Sequence, residues 1–280
     1  MPGFLRSSLC LIARRAVRGV ALLSLSVGLS AGAALAGDWR TTEIEGREIF
    51  YYTPERLEGR PAPLLIALHS DFGNARAFAE TFPIYQLADR KGFRVAYVDG
   101  TEIQRRAAHR DWNAGDCCGD AAARGVDDVS FLKTAIASAQ AEGLAWPEST
   151  FLFGHSGGAM LAYRYGCTYP ETIRGIVAVS GTLAMDGCAN ASGLRVLAIH
   201  GAADRIVPWS GGQGTTAEDF DFMGQRETLN ALHRAGAEVD LLRLERGGHA
   251  WGAIKARFLQ ERGFSLSDRI ADFIDDNAHR

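Results

Sequence analysis

The chain has 280 residues, of which 47% are hydrophobic and 22% are charged, and it contains five cysteines. These proportions exclude a disordered, collagenous or coiled-coil chain, and the length fits one large domain or two small ones. The formal net charge of −3 provides no broad attraction for nucleic acid or for an anionic membrane surface.

Residues 1–36 differ in composition from the rest of the chain. Their only charges are four arginines, and an apolar run rich in Ala, Leu and Ser extends from Gly19 to Ala36. A basic start, an apolar core and small residues at Ala34 and Ala36 are typical of a secretory signal peptide. We therefore predict cleavage after Ala36 and a secreted or periplasmic protein. An N-terminal membrane anchor is the alternative, since a span needs roughly 20 apolar residues.

Short apolar runs alternate with helical patterns through residues 37–280. After a strand or hairpin at 38–53, the runs are continuously apolar, as in parallel strands that are covered on both faces. The predicted strands are 64–69, 93–98, 150–153, 175–179, 194–199 and 239–244, and the predicted helices are about 75–91, 126–142, 158–168, 218–235 and 266–277. This alternation predicts a single-domain α/β fold, with a mostly parallel sheet and helices on both faces.

Two segments interrupt the alternation. Residues 99–125 form a long connection that contains Trp112 and Asn113, and residues 205–217 form a shorter, glycine-rich connection with Trp209. A loop as long as residues 99–125 is commonly functional in a compact domain. The second segment is too short for a large lid domain, so we expect a fairly open cleft.

The clearest motif is Gly-His-Ser-Gly-Gly at residues 154–158. It follows a predicted strand and precedes a predicted helix, which is the context that a G-x-S-x-G nucleophile elbow requires. Its glycines allow backbone segments to pass closely at a sharp turn. The turn presents the hydroxyl of Ser156 as a nucleophile, and the N–H of Gly157 points towards an oxyanion at the helix N-terminus.

A serine nucleophile needs a base and an acid that orients the base, in the chain order serine, acid, histidine. Asp204 is the first acid after the predicted strand 194–199, and His249 follows the predicted strand 239–244. We therefore predict a triad of Ser156, His249 and Asp204. Alternative acids are Asp219 and Asp221, and the histidines less suited by position are His69, His109, His200, His233 and His279.

Four cysteines remain once residues 1–36 are removed. An even number in an exported protein predicts two disulfides, with three connectivities to choose from. We favour a pairing in which Cys117 and Cys118 each bond one of Cys167 and Cys188. A strained vicinal bond between Cys117 and Cys118 and a set of free buried thiols are the alternatives.

Together these motifs resemble the α/β-hydrolase superfamily, and within it the secreted esterases related to polyhydroxybutyrate depolymerase and feruloyl esterase. The resemblance covers roughly residues 61–255. It rests on Ala67-Leu68-His69, Tyr97-Val98-Asp99-Gly100-Thr101, Trp112-Asn113-Ala114-Gly115 with Cys117-Cys118, Val126-Asp127-Asp128-Val129, the Ser156 elbow, His200-Gly201-Ala202-Ala203-Asp204 with Val207-Pro208, and Gly248-His249. It implies the same triad, and it implies that the loop from Trp112 to Cys118 flanks the substrate cleft.

The chain departs from these relatives at the oxyanion loop, where they have His-Gly and it has His69-Ser70-Asp71. We expect the N–H of Ser70 or Asp71 to hold the oxyanion together with Gly157, and the Ser70 hydroxyl is a further candidate donor. A carboxylate beside a developing oxyanion is repulsive, unless Asp71 points to solvent. Because the loss of one donor typically costs about 10²–10³ in rate, a weakened hole still leaves an enzyme.

Aromatic side chains near the predicted cleft indicate the substrate class. Trp112 and Trp251 suit sugar rings, feruloyl groups or a polyester face, and Asn113 is a candidate hydrogen-bond partner; ordinary packing is the alternative for each. No residue spacing predicts a metal site, and nothing predicts a cofactor. The expected partner is a small-molecule or oligomeric ester, with no nucleic acid and no membrane after signal removal, and the protein is expected to be a monomer.

The sequence therefore predicts an exported serine carboxylesterase for feruloyl, acetyl-carbohydrate or hydroxyalkanoate-type esters. A peptidase or deacylase with the same triad is one alternative. The other is a hydrolase fold that binds a ligand or partner without catalysis, which the departure at Ser70 and Asp71 favours.

Overall fold

The computed structural model of the protein describes residues 37–104, 108–117, 119–215 and 220–278. The predicted signal peptide therefore lies outside the described residues. Within this part of the chain, no helix is long and apolar enough to cross a membrane. The same residues contain no group of His, Cys, Asp and Glu side chains that could hold a metal ion.

The described residues form twelve strands and eight α-helices. The strands are β1 (Asp38–Ile44), β2 (Arg47–Thr53), β3 (Ala62–Leu68), β4 (Arg94–Val98), β5 (Thr101–Glu102), β6 (Arg110–Asp111), β7 (Ala145–His155), β8 (Gly175–Val179), β9 (Arg195–Gly201), β10 (Gly212–Gln213), β11 (Asp221–Phe222) and β12 (Glu238–Leu244). The helices are α1 (Ala75–Thr81), α2 (Tyr85–Lys91), α3 (Gly119–Ala123), α4 (Asp128–Ala141), α5 (Gly157–Thr168), α6 (Gln225–Arg234), α7 (Trp251–Arg262) and α8 (Leu266–Ala278).

Eight strands build the main sheet in the order β1-β2-β4-β3-β7-β8-β9-β12. Strand β2 runs antiparallel to β1 and β4, and the remaining neighbours are parallel. The six strands predicted from continuous apolar runs are β3, β4, β7, β8, β9 and β12, and the N-terminal hairpin is β1 with β2. The prediction of a mostly parallel sheet is confirmed.

The sheet separates two apolar cores because successive side chains of a strand point to opposite faces. Leu64 and Ile66 of β3 face the core that α4, α5 and α6 cover. Leu65 and Ala67 face the core that α1, α2, α7 and α8 cover. Helices on both faces therefore explain why β3, β4 and β8 are buried along their whole length, whereas the edge strand β12 is mostly exposed.

Two predicted helices differ in extent from the observed ones. The predicted helix 75–91 is divided into α1 and α2, because Pro83 has no N–H to donate and its ring clashes with the preceding turn. The predicted helix 218–235 is shorter as observed, since α6 begins at Gln225, and residues 216–219 lie outside the described part.

Helix α7 was not predicted, although the sequence contains a signal for it. Trp251, Ile254 and Phe258 are its buried residues, and their spacing of three and four places them on one face. This face packs on the same core as α8. Helix α7 begins at Trp251, two residues after His249. The helix therefore sets where the chain leaves the predicted catalytic histidine.

The long connection at 99–125 is anchored by one buried carboxylate. Asp128 is fully buried at the first residue of α4, and its Oδ1 accepts from Arg47 Nη1 at 2.5 Å and from Thr101 Oγ1 at 3.2 Å. Its Oδ2 accepts the backbone N–H of Asn113 at 2.6 Å. The carboxylate of Asp128 thus joins the start of α4 to the antiparallel hairpin, to the segment after β4 and to the long connection at Asn113.

The favoured cysteine pairing is wrong, because Cys167 and Cys188 are bonded to each other. Cys167 lies near the end of α5 and Cys188 lies in the connection after β8, and their Cα atoms are 5.2 Å apart. Strands β7 and β8 are neighbours, so the segments that follow them meet at the same side of the sheet. Cys117 is also disulfide-bonded, and Cys118 lies outside the described residues.

Replacement of Asp128 by Ala is expected to lower the free energy of unfolding by about 3–5 kcal/mol, because it leaves the mostly buried guanidinium of Arg47 without its carboxylate partner. Urea titration of the variant measures the loss. The control is Glu245→Ala, which removes the exposed partner of Arg243 and should cost about 1 kcal/mol or less. Equal effects of the two substitutions would contradict the anchoring role.

Replacement of Cys167 and Cys188 together by Ala is expected to lower the free energy of unfolding by about 3 kcal/mol. The bond closes a loop of 21 residues, and its removal returns that much chain entropy to the unfolded state. Urea titration under non-reducing conditions tests this. A loss below about 1 kcal/mol would show that the loop is ordered without the bond.

Candidate active site

Ser156 occupies a sharp turn between β7 and α5. Its φ of 55° and ψ of −122° are unusual for a residue with a side chain, so the turn is strained. A Cβ on Gly154 would lie 2.3 Å from the Gly158 carbonyl, and one on Gly158 would lie 2.3 Å from the Leu68 carbonyl. The glycines of the motif therefore permit the close approach of β3, β7 and α5 that raises the serine above the sheet edge.

The three residues of the predicted triad lie together in one hydrogen-bonded chain. Nε2 of His249 is 3.0 Å from Oγ of Ser156, and its Nδ1 is 2.8 Å from Oδ2 of Asp204. Asp204 follows β9 and His249 follows β12, and these strands are parallel neighbours. The serine hydroxyl can thus donate to the imidazole while the imidazole N–H donates to the carboxylate.

Asp204 is held by its own loop. It is 5% exposed, and its Oδ1 accepts the backbone N–H groups of Ile206 and Val207 at 2.9 and 3.0 Å. His200 lies beneath it with Nε2 3.5 Å from Oδ2, and this nitrogen donates to the Val207 carbonyl at 2.9 Å. Burial lowers the pKa of His200, so it supports the acid as a neutral ring.

Among the residues that the structure describes, the alternative acids and bases do not lie beside Ser156. Asp221 is exposed on β11, and Asp219 lies outside the described residues. His109 and His233 are exposed, and His279 is outside the described residues. The geometry therefore leaves His249 and Asp204 as the pair beside Ser156.

His69 shapes the oxyanion loop. Its Nδ1–H donates to the Ser70 carbonyl at 2.7 Å, and its Nε2 accepts the Gly100 N–H at 2.9 Å. Burial lowers the pKa of His69 to about 4, so this ring is neutral near pH 7 and can accept at Nε2. Trp112 Nε1–H donates to the His69 carbonyl at 2.9 Å and fixes the loop from below.

The side chains of Ser70 and Asp71 occupy places that sequence reasoning did not assign. The Ser70 hydroxyl lies 2.5 Å from Nδ1 of His155, so it is directed to that ring and not to an oxyanion. The Asp71 carboxylate lies against Gly157, because a Cβ on that glycine would be 2.2 Å from Oδ1. This position brings the carboxylate towards the expected oxyanion site, and its Oδ1 is shielded from solvent.

A cleft of about 480 Å³ opens above Ser156. Its walls are mostly apolar and aromatic, and among its described lining residues Asp71 is the one acid, with no Lys or Arg. Phe82 and Trp251 stack with ring centroids 4.2 Å apart, and Phe78 lies 4.2 Å from Phe82. Trp251 is among the residues that line this cleft, and its contact with a substrate stays a prediction.

Trp112 and Asn113 do not line the cleft, so the substrate contacts predicted for them require a correction. Trp112 is fully buried and packs against His69, with ring centroids 4.8 Å apart. The side chain of Asn113 donates from Nδ2 to the Val126 carbonyl at 2.7 Å. The backbone carbonyl of Asn113 accepts from Arg164 Nη1 at 2.7 Å. Both side chains hold the connection in place, since the core surrounds them.

Among the cleft residues that the sequence analysis did not single out are His155, Phe78 and Phe82. His155 occupies one of the two variable positions of the G-x-S-x-G motif, so the motif does not constrain it. Phe78 and Phe82 are four residues apart in the predicted helix 75–91, so their spacing indicates that they share one face of that helix. That this face turns towards the serine depends on the packing of α1 beside β3, which the sequence does not show.

Comparison with known proteins identifies relatives. Residues 49–208, more than half of the chain, match the family model described as esterase PHB depolymerase. An acetylxylan esterase of Coprinopsis cinerea is 31% identical over 147 residues, which are 51% of this chain and 37% of the relative. A probable feruloyl esterase C of Aspergillus clavatus is 27% identical over 176 residues, 61% of this chain and 59% of the relative. The chain thus spans less than two thirds of either relative.

A solved structure supports the fold. The dienelactone hydrolase-like promiscuous phosphotriesterase P91 from metagenomic libraries superposes with a TM-score of 0.61 at 16% identity, over 86% of this chain and 99% of that one. Likeness at this identity concerns the fold, and the fold agrees with the family match. The chain therefore has an α/β-hydrolase fold and belongs to the esterase PHB depolymerase family.

Proposed function

We propose that the protein is a serine carboxylesterase that uses Ser156, His249 and Asp204. The observation that carries the proposal is the unbroken hydrogen-bonded chain from the buried carboxylate through the imidazole to the strained serine. A nucleophile, a base and an orienting acid in this order are the requirements of acyl transfer through a serine.

The proposed reaction passes through an acyl-enzyme. Ser156 Oγ attacks the ester carbonyl while His249 Nε2 takes the hydroxyl proton, and Asp204 stabilises the imidazolium. Collapse of the tetrahedral intermediate breaks the ester C–O bond, and His249 returns the proton to the leaving alcohol. Water then attacks the acyl group with His249 again as the base, which releases the acid and restores the serine.

The proposed oxyanion hole uses the N–H of Gly157 with the N–H of Ser70 or Asp71. Gly157 is the first residue of α5, so its N–H has no acceptor within the helix, and the helix dipole favours negative charge there. The carboxylate of Asp71 opposes this stabilisation. The contact of Asp71 with Gly157 favours the alternative, a hydrolase fold that binds a ligand without catalysis. Ester turnover by the wild-type protein is therefore the deciding measurement.

The substrates proposed are esters with an aromatic or apolar acyl group, such as feruloyl esters, followed by acetyl-carbohydrate and hydroxyalkanoate-type esters. Phe78, Phe82 and Trp251 are among the residues that line the cleft beside the nucleophile, and they make its wall apolar. The names of the two relatives, acetylxylan esterase and probable feruloyl esterase C, support the same ester classes. The peptidase and deacylase alternative is tested by matched amide substrates, which an esterase turns over much more slowly.

We also propose that the protein is exported and acts as a monomer on a small or oligomeric ester. The disulfide between Cys167 and Cys188 supports export, because disulfides persist mainly in oxidising compartments. The mass of the protein recovered from the periplasm or medium should correspond to cleavage after Ala36. Retention of residues 1–36 in that fraction would contradict a cleaved signal.

Replacement of Ser156 by Ala is expected to lower kcat on p-nitrophenyl butyrate by a factor on the order of 10⁶, because the acyl-enzyme cannot form. The free energy of unfolding should change little. The control is Ser130→Ala, on the exposed side of α4, which should keep wild-type turnover. A Ser156→Ala protein that retains wild-type kcat would refute the nucleophile.

Replacement of Phe82 by Leu is expected to lower kcat/KM for methyl ferulate by about 2–10-fold, since it removes one aromatic side chain from the cleft wall. Turnover of p-nitrophenyl acetate, which is too small to use that wall, should be nearly unchanged. Phe131→Leu is the matched control, because Phe131 is fully buried away from the cleft. Parallel losses on both esters would contradict an aromatic subsite.

A further inference from the structure

We propose that Ser70 and His155 are positioning residues that fix the main chain of His249 through one relay of hydrogen bonds. The inference rests on the proposed esterase function and deepens it. The relay joins three loops of the cleft, namely the oxyanion loop after β3, the serine turn after β7 and the histidine loop after β12.

The direction of each hydrogen bond follows from the atoms involved. The carbonyl oxygen of His249 can only accept, and it lies 2.9 Å from Nε2 of His155, so that nitrogen carries the proton. A neutral imidazole then has a bare Nδ1, which must accept. The Ser70 hydroxyl lies 2.5 Å from Nδ1 and therefore donates to it. Both ring nitrogens are engaged, and the tautomer is set by its two partners.

The surroundings keep this ring neutral. His155 is 6% exposed, and burial first, then the neighbouring His249, lowers its pKa to about 4. The rings of Phe82 and His249 lie 5.5 and 5.2 Å away, and the other charged or titratable groups that act on it are Asp204 and His200. Between pH 5 and 8 the relay therefore keeps the bond directions given above.

The relay acts on the part of the site that tolerates least displacement. The imidazole of His249 must keep Nε2 at 3.0 Å from the serine oxygen and Nδ1 at 2.8 Å from the carboxylate. Its ring is fixed by these two contacts, and its main chain is fixed from the serine side by His155. Because misplacement by about 1 Å can cost about 10² in rate, a bond that holds this main chain controls kcat.

Ser70→Ala is expected to lower kcat on p-nitrophenyl butyrate by about tenfold, with KM within about twofold of wild type, because one hydrogen bond of the relay is lost. Ser70→Thr keeps a hydroxyl and should recover most of the lost kcat. Ser149→Ala is the matched control. Ser149 is also buried and donates to the Ala278 carbonyl at 2.9 Å, but it lies at the far end of β7.

The split between kcat and KM separates positioning from general loosening of the cleft. A displaced His249 main chain lowers kcat while KM changes little, whereas a loosened cleft raises KM as well. Ser70→Ala should show the first pattern, and Ser149→Ala should show neither.

A double-mutant cycle decides whether Ser70 acts through His155. The double variant Ser70→Ala with His155→Phe should have the same kcat as His155→Phe alone, since the ring that transmits the effect of Ser70 is already absent. Independent, multiplying losses would overturn the relay, and so would a wild-type kcat in Ser70→Ala. A wild-type protein without ester turnover would instead refute the proposed function itself, so the two failures are distinguishable.

Discussion

The strained turn at Ser156 is the constraint on which the rest of the site depends. A side chain at φ of 55° is held only because the surrounding structure over-determines it. Here the support comes from two close contacts, that of β3 with Gly158 and that of α5 with Gly154. Strain of this kind requires a rigid setting, and the continuously buried parallel strands provide it.

Neutral buried histidines connect the loops that this rigid sheet presents. His69 orders the oxyanion loop, His155 joins the serine turn to the histidine loop, and His200 lies beneath the carboxylate of Asp204. A neutral imidazole suits these positions because it offers one donor and one acceptor without a charge to desolvate. The burial that lowers their pKa values also keeps the three rings from competing with His249 as a base.

The sequence predicted what local chemistry determines. Apolar runs identified the parallel strands, glycine spacing identified the turn at Ser156, and chain order identified Asp204 and His249 as its partners. Features that depend on which loops meet in space could not be predicted from the sequence in this way. The bond between Cys167 and Cys188 depends on the adjacency of β7 and β8, and Trp112 is buried because its ring packs against His69 within the core.

The central claim is that Ser156 is an activated nucleophile, and covalent labelling tests it most directly. Intact-mass analysis after exposure to a fluorophosphonate should show one adduct on the wild-type protein, mapped to the peptide that contains Ser156. The Ser156→Ala variant should show none. A folded wild-type protein that remains unlabelled, or a label that persists in the variant, would contradict the account.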